Sequence, residues 1–353
     1  MRINSLIIGL STCATLLNVT CRSKNEGGIH VMRESSIVSI QPIDSTRLEL
    51  SPRSVIGSVV EMAIDGKGNM LIADALDGTV KIFDKRGRYI TSLERKSGRP
   101  LVITGMTLDG DDYVYVSDLP SSSVFRFARN GTLIDSTTVD EQSRFILGIP
   151  RVWKDKLYIG VLEKQFSTMD FYRSTLVGIF RKSNGSLIRR FGSFDEIYQE
   201  FVPLSPEVHF DISADGRIYI VQCHSEKVFC YDAAGNQLTQ FGSESRSFRK
   251  PSSPMPRSTV EHREWLASWS NTNYVRATRK FILVHYFDRH KTDGKAFRED
   301  FFIDIYQPDG KLVESGVGLP GRLLYADDLA MYIGTDLTSP QKVITKYSLL
   351  LHE

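Results

Sequence analysis

The chain is poor in the residues that most enzyme classes lean on. Its 353 residues include four cysteines, too few for a disulfide framework at this length. Lysine and arginine number 44 against 42 acidic residues, so there is no broad electrostatic case for nucleic acid as a partner. No interior apolar run is long enough to cross a bilayer. There is no G-x-S-x-G elbow, no P-loop, and no dinucleotide fingerprint between a strand and a helix. An apolar content of 41% and a charged content of 24% are ordinary for a globular chain, and barrels and propellers of this length form one unit.

What the chain does have is a repeat. "IDGKGNMLIADALDGTVKIFDKRG" (Ile64 to Gly87) returns without a gap as "LDGDDYVYVSDLPSSSVFRFARNG" (Leu108 to Gly131) and "ISADGRIYIVQCHSEKVFCYDAAG" (Ile212 to Gly235). Each copy has a Gly-bearing turn, an apolar strand, a polar loop, and a second strand ending on an aromatic four positions before a glycine. Phe83, Phe127 and Tyr231 are those aromatics. Looser copies place Phe180, Tyr306 and Tyr347 at the same point. The six units recur at intervals of about 41 to 75 residues, the signature of propeller blades. The expected fold is all-β: a six-bladed β-propeller of four-stranded antiparallel blades. The last unit stops after its third strand. "SIVSIQPID" (Ser36 to Asp44) is therefore expected to pair with it and close the ring, leaving no long bare edge.

These units resemble NHL-type repeats. "LIAD" and "YVSD" match that family's "VAD" step, and "FGSFDEIYQEFVP" its interblade linker. Over residues 32–353 the chain is most similar to the six-bladed propeller lipoproteins of Bacteroidota. Asp74 and Asp118 stand in the matching step, as turn-fixing residues or, less commonly, ligands.

The amino terminus differs in character. "MRINSLIIGLSTCATLLNVTCRSKNEGG" has one basic residue, an apolar stretch, Cys21 and a polar tether. It fits a lipoprotein signal over 1–20, acylation at Cys21 and a tether over 21–31. Asn18 and Thr20 depart from the usual lipobox, and Cys13 is a rival acylation site. Simple secretion and a retained anchor are the other outcomes. All imply export; the expected location is the cell envelope, periplasmic or anchored to the outer membrane, with membrane contact only through the lipid on Cys21. Within the propeller, Cys223 and Cys230 lie on the middle strands of the fourth blade, as small buried residues or as a cross-strand disulfide.

Blade geometry locates the functional face. Loops between second and third strands, and linkers between blades, emerge on one face, here called upper. Turns on the other face are short: "KRG", "RNG", "SNG", "AAG", "PDG". All three large insertions fall on the upper face: "EKQFSTMDFYRST", "DRHKTDGKAFRED", and the linker insertion at 244–273 between the fourth and fifth blades. In that linker, "SFRKPSSPMPR" reads as a dispensable extended loop. "STVE" (Ser258 to Glu261) then reads as a capping box opening a helix into "HREWLASW". Trp265 and Trp269 would share a helix face, either packed onto the propeller or displayed as a platform for sugar or peptide. Arg246, Arg249, Lys250, Arg257 and Arg263 form a basic patch nearby.

First strands line the channel, and their early residues are Glu61, Met106, Arg151, His209 and Tyr274. Candidate ligand-binding residues are thus Arg151, His209, Trp265, Trp269 and Tyr274, with no catalytic residue and no cofactor assigned. The expected function is a binding module, monomeric as a propeller, taking a carbohydrate, peptide or envelope protein on its upper loops. The alternative is a metal-dependent lyase or lactonase-like hydrolase on the channel axis. It would use a divalent cation such as calcium or zinc, with Glu61 and Asn273 as oxygen ligands. His209 is the one histidine expected on the axis; His224, His285 and His290 are expected in upper loops or at strand ends.

Overall fold

Every residue of Met70–Asp74 is buried, and the same holds for Val114–Asp118 and Ile218–Gln222. A strand covered on both faces needs a sheet packed on each side. The computed structural model supplies this by stacking six sheets around an axis. It describes residues 38–95, 99–139, 143–167, 170–201, 206–242, 245, 247–253, 256, 261, 264–265, 267–291 and 297–351. The expected leader and tether, with Cys13 and Cys21, lie outside the described residues.

Blade 1 contains β2 (Val59–Ile64), β3 (Met70–Asp74), β4 (Thr79–Phe83) and β5 (Tyr89–Leu93). Blade 2 contains β6 (Ile103–Leu108), β7 (Val114–Asp118), β8 (Ser123–Phe127) and β9 (Leu133–Thr138). Blade 3 contains β10 (Ser143–Trp153), β11 (Lys156–Glu163), β12 (Val177–Arg181) and β13 (Leu187–Phe191). Blade 4 contains β14 (Val208–Ile212), β15 (Ile218–Gln222), β16 (Val228–Tyr231) and β17 (Gln237–Phe241). Blade 5 contains β18 (Asn271–Ala277), β19 (Ile282–Lys291), β20 (Phe297–Tyr306) and β21 (Leu312–Leu319). Blade 6 joins β22 (Arg322–Ala326), β23 (Met331–Asp336) and β24 (Val343–Leu351) to β1 (Val38–Arg47). The chain is therefore an all-β, six-bladed propeller, closed by its amino-terminal strand. β1 runs antiparallel to β24 from Val38↔Leu351 to Arg47↔Val343, three residues further than the sequence pattern suggests.

The core is divided evenly around the ring. Among the described residues, six hydrophobic clusters are present, each centred on one pair of neighbouring blades. Ala63, Leu71 and Val80 meet Met106, Val116 and Phe127 between blades 1 and 2, for example. Leu324 and Ile344 meet Met62, Ile72 and Phe83 between blades 6 and 1.

Turns on the lower face explain the repeat's aromatic–glycine spacing. Gly235 has φ of 82°, and a Cβ there would lie 2.6 Å from the ring of Phe191 in the preceding blade. Gly310, at φ of 93°, sits the same way on Phe241, at 2.7 Å. Only glycine combines that backbone region with so close an approach. The partner aromatics complete each contact, with Phe191–Tyr231 at 5.1 Å and Phe241–Tyr306 at 5.0 Å between ring centroids. Hydrogen bonds stitch the same seam: the hydroxyls of Tyr158 and Tyr219 donate to the carbonyls of Ala233 and Pro308, both at 3.1 Å.

Linkers are latched on the upper side. Asp74 accepts from the backbone N–H groups of Gly57 and Ser58 at 2.8 Å and of Leu76 at 3.0 Å. Burial raises its pKa, but those N–H groups and Lys81 outweigh burial and hold the carboxyl below its ordinary value. Asp118 does the same for Val102 and Ser121, while Gln222 does so with an amide for Asp195 and Ser193. Both aspartates of the repeat step thus fix turns. Cys223 lies just past the end of β15 rather than on it, and Cys230 lies on β16. Both are buried and not joined in a disulfide, and burial pushes the Cys230 thiol up.

Deleting Val38–Asp44 should bare β24 and disconnect the clusters on both sides of blade 6. The expected outcome is a loss of about 10 °C or more in melting temperature, or failure to fold, read by differential scanning calorimetry. A deletion that melts with the parent would contradict ring closure by β1.

Candidate functional site

The three insertions do not stand apart. Phe171, in the blade 3 insertion, packs edge-on against Phe194 and Tyr198 of the next linker, at 5.0 and 5.9 Å. His224 packs on Tyr198 and on Trp269, 6.2 Å from each. Trp265 meets Trp269 edge to face, and its indole N–H donates to the carbonyl of Ser253 at 2.8 Å. Both tryptophans are buried, at 6% and 0% exposure, in the cluster between blades 3 and 4. Their burial fits a pair that anchors the linker, and neither ring face is open to a ligand in this conformation. The predicted helix lies largely outside the described residues; Glu261, Glu264 and Trp265 are helical.

The blade 5 insertion is a β-ribbon, because β19 and β20 stay paired beyond the sheet as far as Lys291↔Phe297. Arg289–Glu299 and His290–Asp300 pairs, at 3.1 and 3.3 Å, line it. Lys291 reaches Glu264 of the linker at 2.7 Å, and Arg249 reaches Asp288 at 3.1 Å. Lys250 pairs with Glu226 at 2.5 Å. The two described members of the expected basic patch are thus ion-paired, while Arg246, Arg257 and Arg263 lie outside the described residues. Phe248 is buried against Tyr286, with ring centroids 5.5 Å apart, so the segment read as dispensable loop is pinned in place. Together the insertions form one canopy over blades 3 to 5.

Below it lies a polar axis. Glu61 of blade 1 accepts a hydrogen bond of 3.1 Å from the hydroxyl of Tyr274 in blade 5, and lies 3.9 Å from Arg151 of blade 3. Blades 1, 3 and 5 do not adjoin, so these side chains meet at the axis. Arg151 Nε donates to Asp211 of blade 4 at 2.7 Å, and Arg276 of blade 5 lies 3.5 Å from the same carboxylate. Arg322 of blade 6 donates to the carbonyls of Val59 and Val60, at 3.0 and 3.1 Å. Met106 instead faces the core between blades 1 and 2.

Level matters as much as direction. His209 and Tyr274 sit high, opposite Val221 and His285 in their sheets. Arg151 sits lower than expected, opposite Tyr158, on the rung that Asp211 occupies opposite Tyr219. His285 is not at a strand end. It lies in mid-β19, fully buried, with Nδ1 bonded to Asn273 Oδ1 and Nε2 accepting from the N–H of Leu323 at 3.4 Å. Asn273 is thereby engaged. Asp211, Arg276 and Arg322 were not singled out in the sequence. The first two follow His209 and Tyr274 by two positions, and that spacing keeps a side chain on the same face of a strand.

Burial pushes the Glu61 carboxyl up to about 7, against the pull of Arg151, Arg276, Tyr274 and Arg322. Burial, reinforced by Arg322 and Arg151, holds His209 down to about 3, so its ring is neutral. Some of the His209 surface remains accessible, yet neither ring nitrogen is, and neither has a hydrogen-bond partner among the described residues. Among the described residues, no group of three or more His, Cys, Asp or Glu is placed to hold a metal ion.

No protein-family model matches the chain, and no curated protein matches its sequence. Solved structures do resemble it. A member of the DUF4221 family from Bacteroides vulgatus superposes with a TM-score of 0.68 at 12% identity, covering 89% of this chain and 99% of that one. A protein from Bacteroides fragilis described as exported gives 0.56 at 11%, covering 90% and 96%. A gluconolactonase from Xanthomonas campestris gives 0.50 at 10%, covering 88% and 97%. At such identities the likeness concerns the fold alone. The shared fold is the propeller.

Unfolded, Glu61 loses its proton near 4.5; folded, it keeps the proton to about 7. Between those values the native state holds more protons, so this group's contribution to stability falls as pH rises. Glu61→Gln, which still accepts from Tyr274, should abolish that fall. The variant should match the parent near pH 4 and exceed it by about 3 kcal/mol at pH 8 in urea titrations. Parallel pH profiles would refute the raised carboxyl.

Proposed function

We propose that the protein is an exported binding module of the cell envelope, taking a carbohydrate, peptide or protein partner on the canopy of its upper face. The observation that carries this reading is the joining of all three insertions into one superstructure on blades 3 to 5, against short turns on the lower face. A rigid ring that carries one elaborated face suits recognition. The direction of the chain adds to it. β1 enters blade 6 at its lower end, where Val38 pairs with Leu351. A lipid on Cys21, followed by residues 22–37 spanning at most about 55 Å, would tether the lower face and leave the canopy facing away from the membrane. Likeness to a Bacteroides protein described as exported is consistent with that setting. Kinship with NHL-repeat lipoproteins belongs to the same proposal.

The lyase or lactonase alternative has less in its favour. Glu61 and Asn273, its two candidate oxygen ligands, bond to Tyr274 and His285. Cutting the ribbon back to a tight turn after Asp288 should weaken binding of envelope glycans, peptides or proteins at least about tenfold by calorimetric titration, with the ring's melting little changed. Unchanged binding would sink the canopy reading. Lactone hydrolysis by the parent that depends on an added divalent cation would decide for the alternative.

A further inference from the structure

The axis carries an electrostatic imbalance that its own residues do not resolve. Among the described residues, three guanidinium groups, Arg151, Arg276 and Arg322, face two carboxylates, Glu61 and Asp211. Asp211 is fully engaged, since Oδ1 accepts from Arg151 and Oδ2 accepts from the N–H of Ala277 at 2.9 Å. Arg322 spends its bonds on carbonyls, which carry no full charge. Arg151 is 5% exposed, and its Nη2 has no hydrogen-bond partner among the described residues; a carboxylate oxygen of Glu61 is 3.9 Å away. Burying an unpaired guanidinium N–H is costly, and native structures rarely leave one bare.

A second orphan stands at the same height. His209 precedes Asp211 by two residues on β14, so both side chains leave one face of the strand, about 7 Å apart along it. Arg151 bonds to Asp211 with Nε and directs Nη2 towards Glu61. Glu61 lies opposite Ala73 in its blade, the rung that His209 occupies opposite Val221. The guanidinium therefore climbs from the Asp211 rung to the His209 rung. A neutral imidazole there offers one N–H donor, and both of its ring nitrogens lack partners among the described residues. Among the described residues, two unsatisfied donors thus stand at one level of the axis beneath the canopy, near Arg322, whose hydrogen bonds go to carbonyls.

We infer that the upper end of the channel is a binding site for a small monoanion, a carboxylate by class, held between Arg151 Nη2 and the ring N–H of His209 in the field of Arg322. Charge-assisted bonds from a guanidinium to carboxylate oxygens are the strong kind, and here they would satisfy both orphans and neutralise the excess charge. Glu61 is a competitor for the same guanidinium, so the site favours an anion most when that residue carries no charge. This site goes beyond the canopy reading and does not depend on it: a free anion would occupy it with or without a macromolecular partner above.

The test needs no knowledge of a physiological ligand. Crystals of the propeller grown without halide or carboxylate are soaked in sodium bromide, and anomalous differences are measured at the bromine edge. A peak within hydrogen-bond reach of Arg151 Nη2 and His209 is the expected result. In solution, acetate at constant ionic strength should raise the melting temperature by roughly 2–4 °C. His209→Leu should lose that shift, and Glu61→Gln should reach it at lower acetate. Bromide only elsewhere on the molecule, or ordered water alone at this point in both parent and Glu61→Gln crystals, would overturn the assignment. So would an acetate response that His209→Leu retains in full.

Discussion

The antiparallel zipper between β1 and β24 is the constraint on which the rest depends. Each hydrophobic cluster belongs chiefly to one interface between blades, so no single core holds the molecule together. A ring of equal interfaces is stable only when the last one forms, and blade 6 is a complete sheet only when β1 supplies its outer strand. The chain thus ties residues about 300 apart in sequence through backbone bonds that ask little of side-chain identity. Closure also fixes the distance between opposite blades, and with it everything on the axis.

That axis is the point where residues far apart in sequence are forced to meet. Glu61, Arg151, Asp211, Tyr274, Arg276 and Arg322 come from five blades, and each is within the reach or field of the others only because the ring is closed. Buried charge of this kind is poor glue, since desolvation takes back most of what attraction offers. Its consequence is electrical: a carboxyl that titrates near neutrality, a histidine kept neutral and donors left over. Above it the canopy is held differently, by buried aromatics such as Phe171, Tyr198 and Trp269, which need no charge balance.

Much of the fold was legible in the residues. The aromatic–glycine spacing marks a contact made once per blade, as Gly235 on Phe191 and Gly310 on Phe241 show. A feature repeated for a repeated reason can be read from one chain. The missing strand of the last unit and the apolar segment before the first likewise imply each other. The candidate site was legible only in part. Tyr274 and His209 were singled out as early residues of their strands, whereas Asp211 and Arg276 needed the two-residue alternation carried one rung further. Arg151 was placed too high because β10 has a register irregularity between Leu147 and Arg151 that local sequence does not announce. The tryptophan pair was read as sharing a helix face; Trp265 is helical but Trp269 lies past the helical residues, and the burial of the pair depends on neighbours such as His224 from elsewhere in the chain.

The sequence alone determined the number of blades, their strand order, the closing strand and the face that carries the insertions. Those properties follow from periodicity and turn chemistry, which act over a few residues and recur. Tertiary structure alone decided which side chains share the axis, how far burial moves Glu61 and His209 from their ordinary behaviour, and that three separate insertions make one canopy. These depend on distances between blades and on exclusion of water, and neither is a property of any short stretch of chain.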